Sequence, residues 1–256
     1  MLALNSQLAV LFEGQGDIAH FEQLAQKLGV LLLDLSALGD IPFFLTWREG
    51  ELKLLDRELL KKGGLSIDIA PRSGEQRSYP APKEGAFAQA IGRKTKTVVD
   101  ATTGWAQDSL CLFRMGYEMT CIERSPIMAE LITDAFVRLA NESWVQKREL
   151  AVPRLLHCNA IDMLQNIDIA PDCIYLDPMF PPKRKKSALS KKSMTILHEL
   201  VGEDLDKEHL FEAALAATSK RVVVKSPDYA PPLGGKPNES FAGKLLRYDV
   251  YFKHNV

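Results

Sequence analysis

The sequence predicts an α/β protein: a mostly parallel β-sheet with helices on both faces, preceded by a small α+β subdomain. Three observations carry this expectation. From Thr97 onward, short β-branched runs alternate with stretches of helical periodicity, the cadence of successive β-α-β units. Three of those runs stop at an acid, at Asp100, Glu123 and Asp177. Before Thr97 the cadence is absent, and paired strand signals flank a Glu49-Gly50 turn instead. A chain of 256 residues accommodates one large domain with such an appendage. We place the division between residues 1–80 and 81–256.

In the first part, Asp17 to Leu28 reads as a helix, with Ile18, Phe21, Leu24, Ala25 and Leu28 at helical spacing. Val30 to Leu35 is a short apolar run, expected to be a strand. Phe43 to Arg48 and Glu51 to Asp56 read as a β-hairpin. Leu65 to Ile69 alternates and is expected to form a further strand. Pro71 to Pro82 is rich in Pro, Gly and Ser, which marks a loop or linker. Within it Arg72, Arg77 and Tyr79 read first as linker residues, with contact to a polyanion as the alternative.

In the second part, Thr97 to Ala101 is a strand running into Gly104, and a helix follows from Asp108 to Met115, stopped by Gly116. Glu118 to Ile122 is the next strand, ending at Glu123. Ser125 caps a long helix that has Pro126 at its first position and Ile127, Leu131, Ala135 and Leu139 on its apolar face. Arg154 to His157 is a third strand, Asp172 to Leu176 a fourth and Arg221 to Lys225 a fifth. Leu210 to Thr218 reads as a helix and Arg247 to Lys253 as a last strand.

Composition narrows the function. Hydrophobic content of 46% and charged content of 25% are those of an ordinary globular protein. No run of 18 apolar residues suggests a membrane span, and Met1 to Phe12 lacks the basic start and small-residue site of a signal peptide. Cys111, Cys121, Cys158 and Cys173 form no C-x-x-C pair, so they read as small core residues of a reducing cytoplasm rather than as metal ligands or disulfides. With a net charge of −1, nucleic-acid binding requires a local basic patch.

The stretch Ile174-Tyr175-Leu176-Asp177-Pro178-Met179-Phe180-Pro181-Pro182 carries the most chemistry. It is a buried strand that exits at a carboxylate, an aromatic ring and three prolines that hold the chain extended. Ligands of open α/β sheets bind at the carboxyl ends of the strands. An exocyclic amine on a planar base has two N–H donors, while an ionised Asp and a proline carbonyl are both acceptors. Asp177 and Pro178 could orient such an amine and favour positive charge on its nitrogen, with Phe180 stacked on the base. The bland alternative is a stiffened loop with Phe180 in the core.

Asp100, the Gly104 turn, a helix start and then Glu123 form a nucleoside-binding layout, with Glu123 on the ribose hydroxyls and Gly104 allowing close backbone approach. Trp105, Ala106 and Gln107 stand where G-x-G-x-x-G would place its remaining pattern, and no G-x-x-x-x-G-K-[ST] occurs, which disfavours pyrophosphate ligands such as NAD and ATP. S-adenosylmethionine, a nucleoside without phosphate, fits better. Asn159 and Asp162 read equally as ligand contacts or as helix-cap residues. Lys183, Arg184, Lys185, Lys186, Lys191 and Lys192 put six positive charges into ten positions directly after the Phe180 motif, which suits phosphate contact. Lys225 and Tyr229, after the fifth strand, are expected to wall the same pocket and touch RNA; Lys225 could equally be an ion-pair member.

These residues resemble a known family. Asp100-Ala101-Thr102-x-Gly104 with Asp108, Glu123-Arg124-x-Pro126, Tyr175-Leu176-Asp177-Pro178-Met179-Phe180-Pro181, and Val222-Val223-Val224-Lys225-x-Pro227-Asp228-Tyr229-Ala230-Pro231-Pro232-Leu233 look like the bacterial 16S ribosomal RNA guanine-N2 methyltransferases. The last two motifs are the specific ones; the resemblance is dense from Asp100 to Leu233 and weak before residue 60. It implies a class I, Rossmann-like fold with a seven-stranded sheet and S-adenosylmethionine as cofactor. It also implies 16S RNA or the small ribosomal subunit as partner, and no metal. It places cofactor contacts on Gln107, Asp108, Glu123, Arg124, Asn159, Ala160 and Asp177. Two departures stand out: Trp105-Ala106-Gln107, where a second glycine and an arginine are usual, and Asn159-Ala160, where small hydroxyl residues are common. Three rivals stay open: a DNA adenine amino-methyltransferase, a nicotinamide-dependent oxidoreductase, and a non-catalytic RNA-binding or assembly factor.

Overall fold

A computed structural model describes residues 4–70, 79–180, 206–243 and 245–253. The chain builds two sheets. The smaller has the order β2-β1-β3-β4, from β1 (Leu8–Phe12), β2 (Leu31–Asp34), β3 (Phe43–Arg48) and β4 (Glu51–Asp56). Short helix α1 (Leu4–Gln7) leads into β1, and α2 (Ile18–Leu28) crosses over to β2, which pairs parallel with β1. The expected helix and hairpin are present. The Asp17 carboxylate caps α2 by accepting from the Ala19 N–H at 3.0 Å. On its apolar face Phe21, Leu24, Ala25 and Leu28 are buried, whereas Ile18 is exposed.

One expectation for this part needs correction, and one strand was not expected. Leu65 to Ile69 is not a strand; only Leu65 bridges to Leu54. Ile67 is buried, but the Ile67 carbonyl accepts from the Arg138 guanidinium at 2.9 Å and the Ile69 carbonyl accepts from that of Arg114. Arginine side chains take the place of a ladder partner. The apolar start of the chain is itself a strand: β1 lies inside the small sheet, and Leu8 to Leu11 are completely buried.

The larger sheet has seven strands in the order β10-β11-β9-β8-β5-β6-β7. They are β5 (Thr97–Asp100), β6 (Glu118–Glu123), β7 (Arg154–His157), β8 (Cys173–Leu176), β9 (Arg221–Pro227), β10 (Glu239–Ala242) and β11 (Leu246–Phe252). Pairings from β9 through β7 are parallel, and β11 runs antiparallel to both its neighbours. Every strand expected from the sequence after Thr97 is present. β10 was not expected; Glu-Ser-Phe-Ala has little strand signal and is recruited by pairing with β11.

Helices α3 (Gly85–Ile91), α4 (Gln107–Arg114), α5 (Pro126–Ala140), α6 (Ser143–Gln146), α7 (Ala160–Gln165) and α8 (Lys207–Ala217) complete the described α-helices. The long helix starts as its sequence implies: Pro126 occupies the first turn and the Ser125 hydroxyl accepts from the Met128 N–H at 3.4 Å. Strand alternation sorts the core onto two faces. Val98, Cys121, Tyr175 and Val223 pack with α3, α4 and α5. Val99, Ile122, Ile174 and Val224 pack with α7 and α8. The first cluster also takes in Leu8, Phe44 and Leu54, so the small sheet shares a core with one face of the large one.

Sheet order positions the site. After β5 the chain moves to β6 and β7 on one side, then returns to lay β8 and β9 on the other. The crevice beyond the carboxyl ends of β5 and β8 is therefore a topological switch point.

Candidate active site

A cavity of about 510 Å³ opens at that switch point, within the range of small-molecule sites, roughly 300–1,000 Å³. Asp100, Gly104, Gln107, Asp108, Glu123, Arg124, Asn159, Ala160, Asp177, Pro178, Phe180 and Lys225 all line it. Residues spread over more than a hundred positions are brought to one edge by the strand order. Tyr229 does not join them: it follows the end of β9, is 42% exposed and lies outside the cavity wall. Asp162, in the first turn of α7, is also outside. The six basic residues Lys183, Arg184, Lys185, Lys186, Lys191 and Lys192, with Pro181, Pro182, Arg72 and Arg77, lie outside the described residues.

The turn after β5 is tied to the second strand by Glu123. This carboxylate is 7% exposed; Oε2 accepts from the Gly104 N–H at 2.9 Å and Oε1 from the Ser125 N–H at 2.7 Å. Burial pushes its carboxyl up, opposed by these backbone bonds. Gly104 has φ 51°, and the buried Ala106 holds φ 54°, so alanine adopts the left-handed conformation that the turn demands. Trp105 forms part of the cavity wall. Asp100 is fully buried at the root of the turn, accepting from the Thr102 N–H at 3.1 Å and from the Ser109 hydroxyl. Burial raises its carboxyl to about 7.

On the far side, β8 delivers Asp177 and Pro178. Asp100 lies opposite Tyr175 in the parallel pairing of β5 with β8, and Leu176 lies opposite Val224 of β9. The Asp177 N–H donates to the Thr102 hydroxyl at 2.6 Å, locking the exit of β8 to the turn after β5. Pro178 is buried, while Met179 and Phe180 are half-buried. The Lys207 ammonium lies 5.2 Å from the Phe180 ring centroid. Lys225 is an ion-pair member, placed 2.7 Å from both Asp108 Oδ2 and Asp177 Oδ2. Its burial works to lower its proton affinity, but the Asp177 and Asp108 carboxylates outweigh that and hold it up. The Tyr175 hydroxyl donates to the same Asp108 oxygen at 2.7 Å, and burial beside these acids keeps it protonated.

At the third strand, Asn159 is the cap of α7, accepting from the Ile161 N–H at 2.8 Å, and it still faces the cavity. Sequence reasoning missed Thr102 as the lock on Asp177. It also missed Asp206, which precedes α8 and pairs with Arg124 at 3.2 Å across the wall. An acid at a helix start was the available signal for Asp206.

The donor set suits a phosphate-free nucleoside bearing a sulfonium. Glu123 keeps lone pairs beyond the two used by backbone N–H groups, and acidic side chains outnumber basic ones along the wall. Fold and cavity together define an S-adenosylmethionine-dependent methyltransferase. Residues 30–253 match the family described as "Putative SAM-dependent methyltransferase". The chain is 39% identical over 223 residues to ribosomal RNA small subunit methyltransferase J of Tolumonas auensis, covering 84% of this chain and 88% of that one. It is 37% identical over 254 residues to the protein of that name from Aeromonas hydrophila, covering 95% and 97%. The crystal structure of a SAM-dependent methyltransferase from Neisseria gonorrhoeae superposes with a TM-score of 0.67 at 25% identity, covering 97% of each chain. The chain belongs to the ribosomal RNA small subunit methyltransferase J family, and its cofactor is S-adenosylmethionine. The similarity reaches well before residue 60, further toward the start than the motifs suggested.

Proposed function

We propose that this enzyme methylates the exocyclic N2 of one guanine in 16S ribosomal RNA. The observation that carries the reading is a single cavity bounded by the Gly104–Glu123 cradle on one side and by Asp177, Pro178 and Phe180 on the other. The relatives' printed name supports small-subunit ribosomal RNA as the substrate class. When bound, the cofactor supplies an electrophilic methyl group on a sulfonium. Glu123 would accept from its ribose hydroxyls, and Gln107, Asp108, Arg124, Asn159 and Ala160 would line its seat. Phe180 stacks on a base turned out of its helix. Asp177 and the Pro178 carbonyl accept the two amine hydrogens, which points the nitrogen at the methyl and stabilises the positive charge that grows there. Transfer of the methyl would form an N–C bond as the S–C bond breaks, leaving a neutral thioether, and the methylated amine would lose one proton to water. Positioning supplies several kcal/mol of barrier reduction, so no strong base is required.

The basic run from Lys183 to Lys192 supplies phosphate contacts in this reading, and residues 1–80 extend the RNA surface beside the catalytic domain of 81–256. In this reading the place of action is the cytoplasm, where small-subunit ribosomal RNA, the substrate class in the relatives' name, is found. Incubating the protein with S-adenosylmethionine and undermethylated 16S RNA or 30S particles, followed by nucleoside mass spectrometry, tests the assignment. N2-methylguanosine is the expected product. N6-methyladenine in DNA, or cofactor binding with no transfer, would favour one of the rival readings.

A further inference from the structure

Lys225 joins the two halves of the cavity. Asp108 comes from the first turn of α4, directly after the Gly104 turn, and Asp177 comes from the loop after β8. One ammonium reaches a carboxylate oxygen of each at 2.7 Å. The side chains are 22% exposed for Lys225, 11% for Asp108 and 38% for Asp177, so the trio sits in a partly desolvated wall. Two carboxylates this close to one nitrogen repel each other without a cation between them. A phosphate would have to compete with both for the ammonium, which weakens the expectation that Lys225 serves RNA directly.

We propose that Lys225 is a positioning residue for methyl transfer: by pairing with Asp108 and Asp177 at once, it fixes the acceptor carboxylate against the helix that follows the cofactor turn. This rests on the assignment of Asp177 to the acceptor amine. An ionised carboxylate has about four lone-pair sites, so one can hold the ammonium while another meets an amine hydrogen. A carboxylate held in place before the substrate arrives contributes to turnover more than to binding. Among the described residues, the titratable neighbours include Asp108 and Cys111 on α4, Asp100 on β5, Tyr175 on β8 and Tyr248 on β11. Tyr248, raised to about 12 by burial, and Tyr175, held well above its ordinary value by burial, stay protonated at neutral pH. Asp100 titrates near neutrality and is present in wild type and variant alike.

The test uses the full-length enzyme with S-adenosylmethionine and 30S particles. Nucleoside mass spectrometry first establishes the wild-type product. Lys225→Met keeps the stem and removes the charge, and its kcat is expected to fall roughly 30- to 300-fold, with both KM values within about threefold. The acid limb of its kcat–pH profile moves toward neutrality, because loss of the ammonium leaves the Asp177 carboxylate near the like charge of Asp108, which favours its protonated form. In an Asp177→Asn background the same change costs less than about threefold, since Lys225 acts through Asp177. Should Lys225→Met not fold, Lys225→Gln takes its place with the same expectations. An unchanged kcat overturns the proposal. So does a raised KM for RNA with a smaller salt dependence, the signature of a phosphate contact. Full recovery in Lys225→Met with Asp108→Asn also overturns it, since Lys225 would then only neutralise Asp108. If the wild-type product is a different methylated base, the function reading fails, and the Lys225 comparison is read on that product.

Discussion

Replacing Glu123 with Gln separates cofactor binding from chemistry. The amide keeps the shape of the side chain but turns one of two acceptor oxygens into a donor. One of the N–H groups of Gly104 and Ser125, now bonded at 2.9 and 2.7 Å, would then face an NH2 group. Orphaning a buried donor costs about 1–3 kcal/mol. Part of that is offset, because burial already disfavours the charged carboxylate and a neutral amide escapes this penalty. A net loss of about 1 kcal/mol of folding stability is expected, read as a lower urea midpoint. The ribose hydroxyls lose a charged acceptor, and hydrogen bonds to charged groups contribute about 1.5–3 kcal/mol. The dissociation constant for S-adenosylmethionine should rise roughly 10- to 100-fold by titration calorimetry. At saturating cofactor, kcat should stay within about threefold, since Glu123 lies away from the acceptor loop. A dissociation constant within twofold of wild type would show that Glu123 serves only the backbone of its own turn.

Other perturbations probe the remaining parts. Asp177→Asn should lower kcat roughly 10²- to 10³-fold while leaving cofactor affinity within about threefold, and the fold should survive because the Lys225 pair is partly exposed and Asp108 still holds the ammonium; unchanged turnover would remove Asp177 from the mechanism. Phe180→Leu should weaken RNA binding by about 1–3 kcal/mol, the value of one base stack, measured as KM for 30S particles; an unchanged KM argues for a packing role. Asp100 has a folded pKa of about 7, above its ordinary 3.8, so its stabilising contribution is complete below about pH 4 and is lost as pH rises through 7. Urea midpoints of wild type should therefore fall relative to Asp100→Asn across that window, and a constant difference would refute the burial argument. Arg124→Ala should change stability by no more than about 1 kcal/mol, because its pair with Asp206 is surface-exposed, yet weaken cofactor binding several-fold by calorimetry.

Much of this was readable in the sequence because it is local. Ser125-Pro126 starts a helix by cap chemistry that needs only its own neighbours, and Asp177-Pro178 ends a strand because proline cannot extend a ladder. Short β-branched and apolar runs marked β5 through β9, and the acids at the ends of three of them marked the edge where a ligand would sit. Where the local signal misled, a distant partner had taken over: arginines of α4 and α5 satisfy the carbonyls of Ile67 and Ile69. β10 exists because β11 offers it an edge. What only tertiary structure decided is who stands beside whom. Lys225 and Asp108 are 117 positions apart, and nothing in either neighbourhood announces their pairing. It arises because backbone pairing sets β8 between β5 and β9, and side chains at strand ends can reach only the charges that those neighbours bring.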